Sequence, residues 1–264
     1  MRFDLSDKKA IVSGSTAGIG YAIAKGLAKC GAHVLINGRD EHRVDEAIVQ
    51  MRKEIPGARV DGLAADLSRL EGIEKMKSFW PEADILVNNL GIYEPRNFFE
   101  IDDDEWERFF QTNVMTAVRL TRHYAKGMID RRWGRVTFNA SVTGGFFPGE
   151  MVHYGATKAA LLGLSRGVAE SVAGTGVTVN AFIPGPTKTE KTEAHIMNMA
   201  EQVGKPFHQF EREMFQHQLP SSLIQRFCTP EEVANLVVFL SSNEARAITG
   251  ATLHVDGGLI RSIL

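Results

Sequence analysis

Short runs rich in β-branched residues alternate with longer segments of helical periodicity along almost the whole sequence. The runs have the length of buried strands, and a helical pattern separates most of them from the next. Repetition of strand, helix and strand requires right-handed crossovers, a parallel sheet and helices on both faces. The predicted strands are residues 10–13, 34–37, 60–64, 85–88, 135–139, 177–182 and 252–255.

The segment after the second predicted strand shows the helical pattern clearly. Val44, Ile48, Met51 and Ile55 recur at helical spacing, and the Pro-Gly pair that follows ends the helix. No linker, repeat or low-complexity tract divides the sequence. We therefore predict one Rossmann-type, doubly wound α/β domain over residues 1–264, with about seven strands and helices on both faces of the sheet.

One connection, residues 190–226, is too long to be an ordinary turn between elements. Long connections in compact α/β domains often cover a binding site, so we predict a substrate lid here. Phenylalanine and methionine side chains recur in it at helical spacing, and they either line an apolar substrate pocket or pack the helix on its own domain. These residues are Phe207, Phe210, Met214 and Phe215.

Composition excludes several classes of partner. The 30 basic and 32 acidic residues give a net charge of −2, which argues against nucleic acid as the main partner. Five charged residues among the first nine argue against a secretory signal, and no apolar run is long enough to span a bilayer. Cys30 and Cys228 are far apart, and the eight histidines lack metal-ligand spacing. We therefore expect a soluble, cytoplasmic protein with no metal site and no membrane partner.

Three glycines mark the turn from the first strand into an apolar helix. Gly14, Gly18 and Gly20 permit positive φ and a close approach of backbone N–H groups to a pyrophosphate at the helix N-terminus. Their spacing is not G-x-G-x-x-G. On the glycines alone, a dinucleotide site and a tight turn without a ligand remain equally good interpretations.

Polar residues follow two further strands. Asp66 comes after the third strand, either at the ligand crevice of a doubly wound sheet or as a cap of the next helix. Asn88, Asn89 and Gly91 end the fourth strand, where the two amides either bond the chain's own turn or bind a ribose.

Tyr154 and Lys158 are four residues apart in a helical pattern and therefore share one face. A neighbouring ammonium favours phenolate, and lowering the tyrosine pKa by about three units needs about 4 kcal/mol. The alternative is a core tyrosine beside a solvated lysine. Ser141, thirteen residues earlier, is placed to hold a carbonyl oxygen or to close a turn. Asn113 interrupts an apolar helical stripe, which indicates a hydrogen-bond relay or a helix-bending contact.

Together these motifs resemble those of short-chain dehydrogenases/reductases over nearly the whole sequence. The family's T-G-x-x-x-G-x-G corresponds to the segment that begins at Ser13, with serine replacing threonine. Its N-N-A-G corresponds to the segment that begins at Asn88, with Leu90 replacing alanine. The family's catalytic Asn, Ser, Tyr and Lys correspond, in order and spacing, to Asn113, Ser141, Tyr154 and Lys158.

The resemblance implies an oxidoreductase that transfers hydride between NAD(P) and a carbonyl or alcohol carbon. Tyr154 would donate a proton to the carbonyl oxygen and Ser141 would orient that oxygen. Lys158 would bind the nicotinamide ribose and lower the tyrosine pKa, while Asn113 would support a water-linked proton path. We expect NADPH-dependent reduction of a 3-oxoacyl thioester or a small ketone. The alternative is a dinucleotide-binding regulator or scaffold without turnover.

The resemblance also implies the cofactor contacts and the assembly. A Pro-Gly pair follows the sixth strand, with Thr189 at the family's position near the nicotinamide carboxamide. We expect a homodimer or homotetramer, formed by the helices around Asn113 and Tyr154 and by the C-terminal DGGLIRSIL. The predicted cofactor-binding residues are Gly14, Ser15, Gly18, Ile19, Gly20, Arg39, Asp66, Leu67, Asn89, Gly91, Tyr154, Lys158, Pro184, Gly185, Thr187 and Thr189.

The end of the second strand bears on the choice between NADP and NAD. Gly38 stands where NAD sites often place an acid, and Arg39 follows as a partner for the 2′-phosphate of NADP. Asp40 either pairs with Arg39 or approaches the ribose, and Ala17 offers no second cation. We predict that NADP(H) is preferred and that NAD(H) remains usable. The alternative for Arg39 is an exposed side chain that caps a turn.

Two further features are given structural interpretations. The acidic run at residues 102–105 precedes a helix, so we expect it to supply the N-cap. His153 adjoins Tyr154 but points away from it on a helix, so we expect a surface residue or one that supports the site indirectly.

Overall fold

A single parallel sheet of seven strands is the framework of the computed structural model, which describes residues 3–144 and 148–261. All seven predicted strands are confirmed, with ends within two residues of those expected. The strands are β1 Lys9–Val12, β2 His33–Gly38, β3 Val60–Ala64, β4 Ile85–Asn88, β5 Gly134–Asn139, β6 Val177–Pro184 and β7 Thr252–Val255.

The strand order is β3-β2-β1-β4-β5-β6-β7, and every neighbouring pair is parallel. The chain starts in the middle, runs outward to β3 and then returns to continue on the other side of β1. The order therefore reverses between β1 and β4. In open parallel sheets ligands bind outside the carboxyl ends of the strands at such a switch point.

Helices connect the strands and cover both faces of the sheet. None of those in the described residues is both long enough and apolar enough to cross a membrane. The α-helices are α1 Gly18–Lys29, α2 Glu41–Glu54, α3 Leu70–Phe79, α4 Asp103–Phe110, α5 Thr116–Asp130, α6 Val152–Ser171, α7 Glu190–Gln202, α8 Phe207–His217 and α9 Pro230–Leu240.

Alternate side chains of the central strands pack into two separate apolar cores, one on each face of the sheet. On β1, Ile11 packs in the core beneath α3, α5 and α6, whereas Ala10 and Val12 pack in the core beneath α1, α2 and α9. This is the period-two alternation of a strand buried on both faces. The doubly wound architecture is thereby confirmed.

The long connection at residues 190–226 contains α7 and α8 and has a small core of its own. Phe215 and Ile196 are buried there with Phe227, and the ring centroids of Phe215 and Phe227 are 5.2 Å apart. The other predicted apolar residues of α8 pack around this cluster. Of the two interpretations offered for that stripe, the structure favours packing within the fold.

Candidate active site

The candidate active site is a cleft of about 500 Å³ at the carboxyl ends of β1, β4, β5 and β6. Nearly all the predicted site residues line this cleft or two smaller pockets that continue it. Two predicted residues, Ser15 and Asn113, are buried and are not part of these walls. The cleft-lining predicted residues are Gly18, Ile19, Gly20, Asn89, Gly91, Ser141, Tyr154, Lys158, Pro184, Gly185, Thr187 and Thr189.

The glycines between β1 and α1 bring backbone against backbone. Gly14 and Gly18 have φ values of +62° and +57°, which favour glycine. At Gly20 an added Cβ would lie 2.4 Å from the Gly14 carbonyl oxygen and 2.5 Å from Asn89 Nδ2. At Gly18 it would lie 3.2 Å from Thr189 across the cleft. The absence of side chains therefore lets Asn89, Thr189 and the turn itself pack closely around the start of α1.

The N-terminus of α1 has no side-chain cap, unlike several other helices of the protein. Ala17 occupies its N-cap position without a side-chain hydrogen bond, and its first turn contains no acidic residue. By contrast, Asp40 caps α2, Asp102 caps α4 and Thr229 caps α9. An uncapped helix start with free N–H groups attracts an anion such as a pyrophosphate. The residues present therefore fit a dinucleotide.

Buried hydrogen bonds hold the glycine turn to its neighbouring strands. Ser13 Oγ accepts hydrogen bonds of 3.0 Å from the backbone N–H groups of Asn89 and Leu90. Ser15 Oγ donates to the Val12 carbonyl at 2.6 Å and accepts from Asn37 N at 3.0 Å. The hydroxyl of Ser15, one of the predicted cofactor-binding residues, is thus engaged inside the protein, where it stabilises the turn and does not line the cleft.

The side chain of Asn89 links the glycine turn to β5 by hydrogen bonds. Its Nδ2 donates 3.0 Å hydrogen bonds to the carbonyls of Ser13 and Gly14, and its Oδ1 accepts one of 2.8 Å from Asn139 Nδ2. The preceding Asn88 instead donates to Thr121 at 3.1 Å in the core. The two amides therefore bond the chain's own turn and core, as one of the two interpretations of this pair held.

Asn113 lies in a π-helical turn, Gln111–Met115, which separates α4 from α5. Its Oδ1 accepts from Ile92 N at 2.8 Å, while its Nδ2 donates to Ile92 O and Thr157 Oγ1, both at 3.0 Å. The helical stripe therefore does not continue regularly through Asn113. The helix-distorting interpretation fits this local geometry, and the side chain fixes the segment after β4 against α6.

Tyr154 and Lys158 lie one turn apart near the start of α6. Lys158 Nζ lies 5.6 Å from the Tyr154 ring centre and donates a 2.6 Å hydrogen bond to the Asn139 carbonyl. Burial raises the pKa of Tyr154 to about 12, and a hydrogen bond with Ser141 only partly opposes this rise. The predicted lowering is therefore wrong for the protein groups by themselves, because loss of hydration dominates and the ammonium is directed at a carbonyl.

Lys158 is itself almost entirely shielded from solvent. Its side chain is buried against the glycine position at residue 91, where an added Cβ would lie 3.4 Å from Nζ. Burial lowers the pKa of Lys158 to about 8. The ammonium form predominates below that pH, and the neutral amine predominates above it.

Ser141 follows β5 and lines the cleft beside Tyr154. Its Oγ accepts hydrogen bonds from Thr143 N at 3.2 Å and Thr143 Oγ1 at 2.9 Å. Both of these groups act as donors, so the Ser141 hydroxyl proton remains directed toward other acceptors. The side chain combines a turn-closing role with a position next to the phenol.

A second pocket of about 300 Å³ lies beside the glycine turn and contains two arginines. Arg39 and Arg43 both line it, and neither forms an ion pair with any carboxylate of residues 3–144 or 148–261. Asp40 does not neutralise them, because its carboxylate caps α2 by accepting from Arg43 N at 2.9 Å. Ala17 in the glycine turn provides no second cation beside Arg39, and Arg43 in the first turn of α2 provides it instead.

Asp66 and Leu67 lie where the pockets near Arg39 meet. Asp66 Oδ1 accepts from Ser68 N at 3.1 Å and Ser68 Oγ at 2.7 Å, which is an Asx turn before α3 and not a cap of that helix. Leu67 is buried along the wall, and the predicted bulk of Leu90 packs against the glycine at position 14, within 3.1 Å of an added Cβ.

The segment after β6 closes the far side of the cleft. An added Cβ on Gly185 would lie 2.7 Å from Asp256 Cα, so only glycine fits beneath the C-terminal strand. Thr187 Oγ1 donates to Gly185 O at 2.9 Å, and Thr189 caps α7 by accepting from Thr192 N at 3.3 Å. Thr189 thus faces the entrance to α1 from the opposite wall.

The two features given structural interpretations have different outcomes. The acidic run is confirmed as an N-cap, since Asp102 accepts from Glu105 N at 2.8 Å. His153 is fully buried, which makes its expected surface position wrong. Its ring lies 4.0 Å from that of Phe109, and burial lowers its pKa. Its outward direction from Tyr154 places it between α4 and α6, because α4 covers that face.

Sequence reasoning missed several residues of the cleft, among them three with side chains that bear on its chemistry. Arg43 and Lys191 look like ordinary exposed helix residues in the sequence, and only the packing of α2 and α7 brings them to the cleft. Tyr93 follows the asparagine motif at the end of β4, and its ring centroid lies 6.1 Å from that of Tyr154. Its position two residues after Gly91 was the one sequence signal that could have indicated a place in the cleft.

Comparison with known proteins agrees with this geometry. A family model described as enoyl-(acyl carrier protein) reductase matches residues 14–260. The chain is 46% identical to the uncharacterized oxidoreductase YvaG of Bacillus subtilis, with both chains fully covered. It is 35% identical to the 3-oxoacyl-[acyl-carrier-protein] reductase FabG of Escherichia coli, over 96% of this chain and 97% of that one.

A solved structure extends the comparison to the fold. The L-sorbose reductase from Gluconobacter frateurii, complexed with NADPH and L-sorbose, superimposes with a TM-score of 0.92 at 33% identity, and both chains are covered completely. The sheet order, the glycine turn and the matched family model all agree. The chain therefore belongs to the short-chain dehydrogenase/reductase family and is an NAD(P)-dependent oxidoreductase that acts on CH–OH and C=O groups.

Proposed function

We propose that this protein reduces a carbonyl to an alcohol with NADPH, with Ser141, Tyr154 and Lys158 as its catalytic residues and Asn113 as the residue that positions them. The observation that carries the proposal is their arrangement: all three line one cleft that opens toward the uncapped start of α1. When bound, NADPH supplies the hydride. The protein supplies the proton, the orientation of the carbonyl and the exclusion of water.

Tyr154 is the proton donor to the carbonyl oxygen. Burial raises the pKa of Tyr154 to about 12 in the protein alone, which keeps the phenol in the protonated form that proton donation in the reductive direction requires. The neighbouring Ser141 hydroxyl orients the same oxygen. Lys158, held through Asn139 O, places a positive charge behind the phenol and is available to hold the nicotinamide ribose.

Asn113 does not contact the reacting groups but positions the residues that do. Its amide fixes Ile92 and Thr157, and Thr157 lies one residue before Lys158. The distorted turn thereby sets the spacing between the end of β4 and α6, which carries Tyr154 and Lys158. We assign to the same turn the support of a proton path to Lys158.

The remaining predicted residues hold the dinucleotide. The glycine turn and the start of α1 receive the pyrophosphate, while Thr187, Thr189 and the Pro184–Gly185 turn border the nicotinamide end. Asp66, Leu67 and Leu90 border the adenine end. The proposed preference for NADPH over NADH rests on Arg39 and Arg43, whose uncompensated guanidiniums share one pocket beside the glycine turn. The relation to a reductase complexed with NADPH supports the same choice.

The decisive experiment measures NADPH consumption with a panel of oxoacyl thioesters, ketoses and simple ketones. Tyr154→Phe should reduce turnover by about 10²-fold to 10⁴-fold, as expected for loss of general acid catalysis, while leaving NADPH binding intact. Tight NADPH binding without turnover of any carbonyl, and without any effect of Tyr154→Phe, would favour a non-catalytic dinucleotide sensor instead.

The cofactor preference has its own test. Arg39→Ala and Arg43→Ala should each lower the ratio of kcat/KM with NADPH to kcat/KM with NADH by about tenfold, and the double variant should lower it further. The control is Arg52→Ala on the same helix, because that side chain donates to Val60 O away from the pocket. An unchanged ratio in the double variant would remove the assignment.

We further propose that the whole chain acts as one catalytic domain, with residues 190–226 as its lid. We also propose a homo-oligomer, either dimer or tetramer, in a reducing compartment such as the cytoplasm. The C-terminal part of the proposed interface extends into residues 262–264, which lie outside the described residues. Sedimentation at enzyme working concentration distinguishes the assemblies.

A further inference from the structure

Lys191 stands at the lid side of the cleft, on the first turn of α7. Its ammonium lies 4.6 Å from the ring centre of Tyr93, and the Tyr93 ring centre lies 6.1 Å from that of Tyr154. All three side chains line the same cleft. A single aromatic ring therefore separates this cation from the proposed proton donor.

The charge of Lys191 is not neutralised by the protein. The nearby Lys188 is paired with Glu193 at 2.8 Å, but no carboxylate of residues 3–144 or 148–261 lies within ion-pair distance of Lys191. Glu190 is the one acidic residue among the described residues that line the cleft, which also contains the cations Arg43, Lys158 and Lys191. The cleft therefore has an excess of positive charge.

The other two cations already have positions that assign them elsewhere. Lys158 is buried and donates to Asn139 O, and Arg43 also borders the pocket of Arg39 beside the glycine turn. Lys191 lies on the opposite wall, against a ring whose backbone neighbour Ile92 is fixed by the Asn113 amide. Its ammonium therefore lies on the lid side of the cleft, one aromatic ring away from Tyr154.

We propose that Lys191 binds the carboxylate of the substrate, so that the enzyme acts on small oxo acids and, in the reverse direction, on hydroxy acids. This inference rests on the proposed function and names its substrate class. The face of Tyr93 holds the ammonium by a cation–π contact and removes part of its hydration. A carboxylate replaces the remaining water with charge-assisted hydrogen bonds, while Ser141 and Tyr154 receive the carbonyl oxygen.

The test uses pairs of substrates that differ only in charge. NADPH consumption is measured with acetoacetate and methyl acetoacetate, and with 4-oxopentanoate and its methyl ester. The wild-type enzyme should prefer at least one acid over its ester in kcat/KM. Lys191→Met should lower kcat/KM for that acid by about tenfold to a hundredfold and leave the value for the ester within about twofold, while Lys191→Arg retains the preference.

The matched control is Lys188→Met, which removes an equal charge three residues earlier from a lysine that is already paired. It should leave the acid-to-ester ratio unchanged. Fluorescence titration with NADPH is run on every variant. Suppose that Lys191→Met weakens NADPH binding and also lowers kcat/KM by the same factor for acids and for esters. Lys191 then serves the cofactor, and the inference is overturned.

Failure of this inference differs from failure of the proposed function. Turnover of the esters at rates equal to those of the acids would overturn the inference and leave the reductase assignment standing. Absence of turnover with every carbonyl would count against the reductase assignment. In that event, calorimetric titration of the NADP⁺ complex with 4-oxopentanoate still decides: equal affinities of wild type and Lys191→Met would overturn the inference, and a tenfold loss would support it.

Discussion

The two walls of the cleft are built in different ways. The wall formed by the glycine turn is tied to β2, β4 and β5 by buried hydrogen bonds of Ser13, Ser15, Asn37 and Asn89. The other wall, called the lid wall below, includes Glu190 and Lys191 of the proposed lid at residues 190–226. A small apolar cluster around Phe215 and ion pairs at the surface hold that segment. One wall is part of the central sheet, whereas the other is an addition to it.

The difference shows how one fold can keep its chemistry while its substrate changes. The groups proposed to hold the cofactor and move the proton lie on strand ends and helices whose positions the core fixes. The lysine proposed to meet the substrate lies on a segment with its own small core, so we expect substitutions there to disturb the sheet little. The contrast can be tested by substitutions in each wall and by changing the charge of Lys158.

The largest effect is expected at the glycine-turn wall. Gly20→Ala places a Cβ 2.4 Å from Gly14 O and 2.5 Å from Asn89 Nδ2, where backbone surrounds it. We expect a loss of about 3 kcal/mol in the free energy of unfolding, together with severe loss of NADPH binding. Urea unfolding and fluorescence titration measure the two effects.

The control for that substitution is another helical glycine. An added Cβ at Gly163 on α6 meets no atom within 4 Å, so Gly163→Ala should stabilise the protein by about 0.5–1 kcal/mol. Equal stabilities of the two alanine variants would show that the close packing at Gly20 carries little energy, and the contrast between the walls would weaken.

Damage to the lid wall should be smaller and local. Phe215 is fully buried in the lid cluster, and Phe215→Ala should destabilise that segment by about 2 kcal/mol, less than the roughly 3–5 kcal/mol of such a change in a large core because this cluster is small. Limited proteolysis should cut residues 190–226 faster, while NADPH affinity stays within about twofold of wild type. A global loss of stability with equal loss of NADPH binding would mean that the lid is an integral part of the sheet domain.

The third effect concerns Lys158, which lines the cleft between Tyr154 and Asn139. Its pKa of about 8 predicts that kcat/KM for reduction falls as pH rises through 8, by about tenfold for each unit beyond it, as the ammonium loses its proton. Tyr154, with a pKa of about 12, keeps its proton throughout this range and does not contribute to the fall. A pH–rate profile between pH 6 and 10 measures the effect.

Lys158→Arg is the matched variant, because a guanidinium does not titrate in that range. Whatever its absolute rate, its profile should lose the fall near pH 8. A wild-type profile that remains flat to pH 10 would show that the charge of Lys158 is not required.

The framework and most of the site could be predicted because local rules determine them. Strand runs are readable from β-branched residues, and Gly14, Gly18 and Gly20 are needed where backbone approaches backbone. The spacing of Tyr154 and Lys158 fixes their shared helix face. These features depend on neighbours in the sequence, so the sequence alone was sufficient.

What could not be predicted depends on packing between distant segments. The raised pKa of Tyr154 reflects how deeply the phenol is covered, which no spacing encodes. Burial of His153 depends on α4 lying across it, and the second cation of the arginine pocket depends on the direction in which α2 leaves β2. Ser15 was assigned by its place in a motif, but its hydroxyl is consumed by Val12 and Asn37.

The π turn at Gln111–Met115 also sets the rotational phase of everything that follows it in the helix. One extra residue in a turn rotates the subsequent side chains by about 100° relative to an uninterrupted α-helix. In an uninterrupted α-helix Phe109 and Leu120, eleven residues apart, would lie within about 20° of the same face. In this structure Phe109 packs against His153, whereas Leu120, Tyr124 and Met128 of α5 pack in the core beneath α3, α5 and α6. Deleting one residue here would make a regular helix that satisfies either the buried face of α4 or that of α5, but not both.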